Sequence, residues 1–148
     1  MMEFRFQSFP PIPTPGLKSS WRPLIPIEIT GPTGKSRTSR HALIDSGADD
    51  TLFPRLTADQ IAIPLRSDAG LGIRWRGQPY RFRFGEVEFA LTDGITSLRW
   101  KATVGFSDAP LRYPLLGQSG FLQYFDVTFL GADRIVRIAP NPTFVSLP

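Results

Sequence analysis

The chain has 148 residues, which suits one domain around a single core. It has no Cys and one His, which excludes disulfides, thiolate metal sites, a cysteine nucleophile and a His-rich metal cluster. The net charge of +4 is moderate and spread along the chain, and 15 prolines leave little room for long helices.

No apolar run approaches the roughly 18 residues of a membrane span. Met1-Met2-Glu3-Phe4-Arg5-Phe6 lacks the apolar core of a signal peptide. The expectation is a soluble, cytoplasmic protein with no membrane partner.

Phe4 and Phe6 alternate and predict a short strand. Pro10, Pro11, Pro13 and Pro15 then read as an extended linker or a strap across the surface. Leu24 to Thr30 places Ile25, Ile27 and Ile29 on one face, and Pro26 points to an edge strand. Gly31-Pro32-Thr33-Gly34 is a turn. Gly34-Lys35-Ser36 is not a phosphate loop: the first glycine of that motif would fall at Ile29, and a strand rather than a helix follows. His41 reads as a solvent-side residue at the start of the next strand, with no Ser placed to complete a triad.

Ala42-Leu43-Ile44 reads as a buried strand that turns at once into Asp45-Ser46-Gly47-Ala48-Asp49-Asp50-Thr51. A carboxylate there is costly unless hydrogen bonds or a function hold it. Gly47 permits a tight turn beside it. Arg55 to Ala62 predicts one short helical turn with Thr57 as N-cap. Asp68 to Gly72 is Gly-rich. Tyr80, Phe82 and Phe84 alternate, and the phase then shifts to Val87, Phe89 and Leu91, which predicts a bulge or turn at Gly85. Thr92-Asp93-Gly94 starts a hairpin connection. Leu98, Trp100, Ala102, Val104 and Phe106 form a clean strand. Phe125 to Phe129 and Ile135 to Ile138 are further strands. Short strands at this frequency indicate an all-β sandwich or barrel.

The run from Leu43 to Thr51 resembles the active-site motif of the retropepsin-like aspartic proteases, apolar-apolar-Asp-(Thr/Ser)-Gly-Ala, often followed by Asp-Asp-Thr. Leu115-Leu116-Gly117 resembles that family's second landmark, with Gly117 lying 70 residues after Gly47. The resemblance implies an all-β, closed acid-protease barrel, one half-pepsin unit per chain, with a short helix from Ser119 to Tyr124. Residues 1–22 would be an N-terminal Pro-rich segment and 23–148 the retropepsin-like domain.

The resemblance also implies roles. Asp45 is catalytic, and Ser46, Gly47 and Thr51 support its loop. Ala48 and Asp49 face substrate. Asp50, Leu115, Leu116 and Gly117 are structural beneath the loop. Gly70-Leu71-Gly72 is the first choice for a substrate-covering flap, and Arg76-Gly77-Gln78 the second. No cofactor and no metal are implied. Where the family often has Arg, paired with the second carboxylate, this chain has Gln118, which cannot neutralise Asp50.

Acid-protease chemistry needs two carboxylates sharing one proton. The chain has one Asp-Ser-Gly, so the resemblance implies a homodimer acting on a peptide or protein substrate, with Asp45 of both copies meeting on a twofold axis. Phe4-Phe6 and Phe144-Val145 are candidates for an interleaved seam. Two other readings remain: a non-catalytic module of the same fold, and a basic barrel binding RNA through Arg74-Trp75-Arg76 and Tyr80 to Phe84. For the last, a strand with aromatics inward and arginines outward explains the pattern better.

Overall fold

The computed structural model describes residues 1–10, 12–66, 73–75 and 77–148. The fold is all-β. Six strands close into a barrel: β4 (Leu24–Thr30), β5 (Ser36–Ile44), β6 (Leu52–Pro54), β9 (Phe82–Thr92), β10 (Ser97–Ser107) and β11 (Leu115–Leu116), in the order β10-β6-β11-β5-β4-β9. The barrel interior holds Ile25, Ile27, Ile29, Val87, Phe89, Trp100 and Val104, as the alternation of those strands predicts. Asp93 caps the β9–β10 connection by accepting from the backbone N–H groups of Ile95 and Thr96 at 2.9 and 2.7 Å. Those bonds hold its carboxyl below the usual Asp range.

Two expectations for these strands are corrected. Pro26 does not mark an edge, because β4 lies between β5 and β9. The missing N–H is accommodated by a break in the β4–β5 register between Ile25 and Ile27. Gly85 marks no bulge, because β9 pairs with β10 without a slip from Phe82 to Thr92. The apparent phase shift arises because β9 buries opposite faces at its two ends. Gly85 itself is small because the chain crosses close by: a Cβ there would lie 2.5 Å from Ile63 Cγ2.

The single α-helix among the described residues, α1 (Arg55–Gln60), begins at Pro54 with no side-chain cap. Thr57 is the third residue of the helix and Pro54 takes the cap position, so Thr57 is not the N-cap. Ser119 to Tyr124 is not helical but a chain of turns. Leu122 and Gln123 donate five residues back to Gly117 and Gln118, and Tyr124 donates to Phe121. Among the described residues no helix is long and apolar enough to cross a membrane.

Outside the barrel, β1 (Met2–Arg5), β13 (Ile135–Pro140) and β12 (Phe125–Leu130) form an antiparallel sheet in the order β1-β13-β12. β2 (Gln7–Phe9) pairs with β3 (Ser20–Arg22), and β7 (Ile73–Trp75) with β8 (Gln78–Tyr80). The candidate dimer segments are engaged within the chain. Phe4 and Phe6 pack on the core, and the Phe144 ring stacks near Phe125 and Trp100 at 5.3 and 6.1 Å. Only Val145, 75% exposed, is free among them.

Trp100 is the centre of this packing. It is 1% exposed, meets Phe89, Phe121, Phe125 and Phe144, and its indole N–H donates to the Gly120 carbonyl at 3.0 Å. Trp100→Ala is expected to cost about 3–5 kcal/mol in a denaturant titration. The cost combines a cavity with an orphaned carbonyl.

Candidate active site

Asp45 follows β5 directly. Its backbone N–H donates to the Leu116 carbonyl at 3.0 Å, which joins the end of β5 to the end of β11. Its side chain is half-buried, and Oδ1 accepts from the Gly47 N–H at 3.0 Å. The Asp45 carbonyl accepts from the Ala48 N–H at 3.2 Å. The loop is thus an Asx-type turn that fixes the carboxylate against its own backbone. Ser46, Gly47 and Asp49 are exposed, and Ala48 is half-buried.

The loop is held from below by the second landmark. Gln118 N–H donates to the Ala48 carbonyl and Ser119 N–H to the Asp49 carbonyl, both at 2.9 Å. Thr51 is fully buried. Its hydroxyl donates to the Ser119 carbonyl at 2.8 Å and accepts from the Gly117 N–H at 3.2 Å. A Cβ on Gly117 would fall 2.4 Å from the Asp50 carbonyl oxygen and 2.6 Å from that of Ala48. No side chain fits between two backbones this close. The predicted residues Asp45 to Thr51 and Leu115 to Gly117 therefore meet in one tight crossing.

Burial first, and the neighbouring Asp49 carboxylate second, raise the Asp50 carboxyl above its ordinary value. Among the described residues no cation pairs with it. Gln118, at the position where an Arg was expected, turns elsewhere: its Nε2 donates to the Ser46 carbonyl at 2.9 Å. It braces the loop and leaves Asp50 uncompensated.

Gly70, Leu71 and Gly72 lie outside the described residues, as does Arg76. The second flap choice falls on the β7–β8 hairpin. Trp75 faces Gln78, and Gly77, with φ of 80°, is the residue before Gln78. A groove of about 480 Å³, lined by Gly31, Gly34, Glu88, Arg99 and Lys101 among others, includes no residue of the Asp45 loop. The Gly31–Gly34 turn beside it is the expected hairpin tip, with Gly34 N–H donating to the Gly31 carbonyl at 3.1 Å.

Sequence reasoning missed an apolar row that runs across the barrel beside Asp45. Leu24, Leu43, Leu115, Leu52, Gly105 and Phe84 are successive register partners on β4, β5, β11, β6, β10 and β9. Register partners share a face. On β5, Ala42 and Ile44 point into the barrel, so Leu43 points outward with Asp45. Leu24 and Leu52 are buried yet stand apart from the main core cluster, as members of this outer layer should. The signal was present in the doublet Leu115-Leu116, since only one of two adjacent strand residues can face the interior.

Among solved structures, the chain is similar to EIAV protease complexed with the inhibitor HBY-793, with 20% identity and a TM-score of 0.47, over 72% of this chain and 88% of that one. No protein-family model matches the sequence, and no curated protein matches it.

Two predictions follow the loop's construction. Thr51→Val keeps the shape but orphans the Gly117 N–H and leaves the Ser119 carbonyl with only the Thr51 backbone N–H, and is expected to cost about 1–3 kcal/mol in denaturant unfolding. Asp50→Asn acts in the opposite direction. A raised carboxyl favours folding fully below the usual Asp pKa of about 3.9, and that contribution is lost as pH rises through the raised folded value. The variant is therefore expected to melt higher than wild type near neutral pH and to match it near about pH 2.5. Thermal scans at both pH values check this.

Proposed function

We propose that the chain is an aspartic endopeptidase of the retropepsin kind, working as a homodimer in which the Asp45 side chains of two copies share one proton. The observation that carries this reading is the Asp45 loop: a half-buried carboxylate at the end of a barrel strand, clamped by Thr51 and Gly117 and flanked by an apolar row.

In this mechanism the ionised Asp45 takes a proton from water as the water attacks the peptide carbonyl. The protonated Asp45 of the second copy polarises the carbonyl oxygen, then returns a proton to the leaving amine. Gly47 N–H holds one carboxylate oxygen in place, which leaves the other to carry the proton. Ala48 and Asp49, at the exposed rim, are positioned to meet a substrate backbone. Leu43 and Leu115 offer an apolar surface to a side chain next to the cut.

A second reading is favoured by Gln118. Its bond to the Ser46 carbonyl replaces the expected ion pair at Asp50, and on this reading the same fold is kept for dimerisation without cleavage; the two readings diverge on activity.

Asp45→Asn is expected to abolish cleavage of an unfolded protein substrate across acidic pH while leaving the melting temperature within a few degrees. Cleavage at the wild-type rate would remove Asp45 from the chemistry. Two Asp45 carboxyls facing each other raise the upper apparent pKa of the pair, so the dimer binds more protons than two monomers and weakens as pH rises through that value. Sedimentation is expected to show Asp45→Asn dimerising more tightly than wild type near neutral pH, with the two converging in acid. A mutant no tighter at neutral pH, beside a wild type that gains nothing in acid, would show that the two Asp45 do not meet.

A further inference from the structure

The terminal sheet ends on a bare edge. β12 (Phe125–Leu130) pairs with β13 alone, and its outer side meets no strand among the described residues. Which of its backbone groups face outward follows from one bond. Asn141 N–H donates to the Tyr124 carbonyl at 3.0 Å, one pair beyond Phe125 and Pro140. Bonded and non-bonded pairs alternate along an antiparallel ladder, so Asp126, Thr128 and Leu130 bond to β13. Phe125, Val127 and Phe129 turn their N–H and C=O groups to the open side. Pro140, which has no N–H to give, stands opposite Phe125, as this phase requires. The bond from Phe6 N–H to the Arg134 carbonyl, at 2.8 Å, fixes the same phase from β1. Val136 and Ile138 bond to β1, which leaves Ile135, Arg137 and Ala139 for β12.

This edge lacks the features that keep sheet edges apart. It reads Phe-Asp-Val-Thr-Phe-Leu, with no Lys and no Pro, and its register with β13 runs without a slip. Asp126 is its single charge. β1, at the other edge of the sheet, is shorter and carries Glu3 and Arg5. Phe125, Val127 and Phe129 share the face that covers the core. Phe125 is 3% exposed, Val127 half-buried and Phe129 46% exposed, so this apolar row runs outward past the end of the core. Asp126 and Thr128 are exposed on the opposite face. The strand also begins beneath the Asp45 loop. Gln118 N–H bonds the Ala48 carbonyl, and the Phe121 ring, in the turns that follow, meets Phe125 at 4.9 Å.

We propose that β12 is the seam of the homodimer. Two copies join edge to edge and antiparallel about a twofold axis at Val127, making one continuous sheet in the order β1-β13-β12-β12-β13-β1. In that register every outward residue exchanges both backbone bonds, and Phe129 lies against Phe125 of the partner subunit. The Asp126 carboxylate faces the partner's Thr128. The neighbouring registers are worse. An axis at Asp126 opposes two carboxylates. An axis at Thr128 sets Asp126 against the partner's Leu130, and Phe125 against the partner's Gly131 in the turn. No strand is exchanged, because β1 and β13 already complete each copy's sheet and Phe4, Phe6 and Phe144 pack on their own core. The seam therefore differs from the interleaved one that the resemblance implies. The choice of a second copy as occupant rests on the homodimer reading, while the register is a property of the edge itself.

The test uses full-length wild type, Val127→Pro, Phe129→Lys and Asp45→Asn in sedimentation, with single-cysteine variants to read the register. Val127 N–H makes no bond to β13, so Val127→Pro removes a seam bond and spares the ladder behind it. It is expected to weaken the dimer by about tenfold or more with an unchanged circular dichroism spectrum. If it fails to fold, Phe129→Lys, which puts a charge on the edge, reports the same loss. The chain has no Cys, so Asp126→Cys and Thr128→Cys each carry one thiol. Facing residues of a non-bonded pair lie about 4.5 Å apart at Cα, within reach of a disulfide. On oxidation an equimolar mixture of the two variants is expected to give a linked dimer with one copy of each, by mass, and either variant alone to give little. A dimer untouched by a folded Val127→Pro or Phe129→Lys, or a lone variant that links as fully as the mixture, overturns the seam and leaves the homodimer standing. A wild type that stays monomeric overturns both. A dimer that links through β12 and cleaves nothing supports the seam and removes the peptidase. Cleavage lost in Asp45→Asn while its dimer persists supports both.

Discussion

The crossing of two backbone segments at Gly117 governs the rest of the site. The Ala48–Thr51 and Gly117–Ser119 segments approach closely enough to exclude even a methyl group, and a single buried hydroxyl, that of Thr51, bonds across the gap. Backbone groups buried this way must be paired, and here they pair with each other. The carboxylate of Asp45 is therefore positioned by groups that cannot move without breaking several bonds at once. Thr51 also ties the loop to the barrel wall, since its carbonyl accepts from the Gly105 N–H at 2.9 Å. The rigidity of the Asp45 loop thus comes from the same bonds that close the barrel.

This crossing was legible in the sequence only through the resemblance that joins its two parts, an apolar strand meeting Asp45-Ser46-Gly47 and a second apolar pair meeting Gly117, since Leu115-Leu116-Gly117 by itself signals nothing. The barrel was legible in the strands themselves, since alternation on β9 and β10 is long and clean. What failed depended on tertiary context. The helix expected from Ser119 to Tyr124 became turns, because Gly120, at a φ of 95°, leaves the helical region and Leu122 and Gln123 donate five residues back to Gly117 and Gln118. Pro26 was read as an edge signal because a bulge across from it is invisible in one strand's sequence. Gly85 was read as a bulge because nothing in β9 shows that Ile63 crosses over it.

The N-terminal segment shows the same limit from another side. Prolines at positions 10, 11, 13 and 15 conceal the hairpin that brackets them, with Gln7 to Phe9 paired to Ser20 to Arg22. Composition reports the exposed residues between the strands. It is silent on Gln7, whose three bonds bridge two barrel strands at the break in their register. A polar side chain filling a bulge has no sequence period, so only the folded chain discloses it.

Gln118 marks the point at which the site departs from its expected electrostatics. An Arg there would lower the cost of ionising Asp50, whereas an amide cannot, and burial beside Asp49 holds Asp50 in favour of its proton. The amide instead supports the Ser46 carbonyl, in the middle of the loop that carries Asp45. Among the described residues no fixed positive charge stands against Asp50 in its place. A loop built this way is braced by an amide, at the expense of a fold that is less stable near neutral pH than with a neutral residue at position 50.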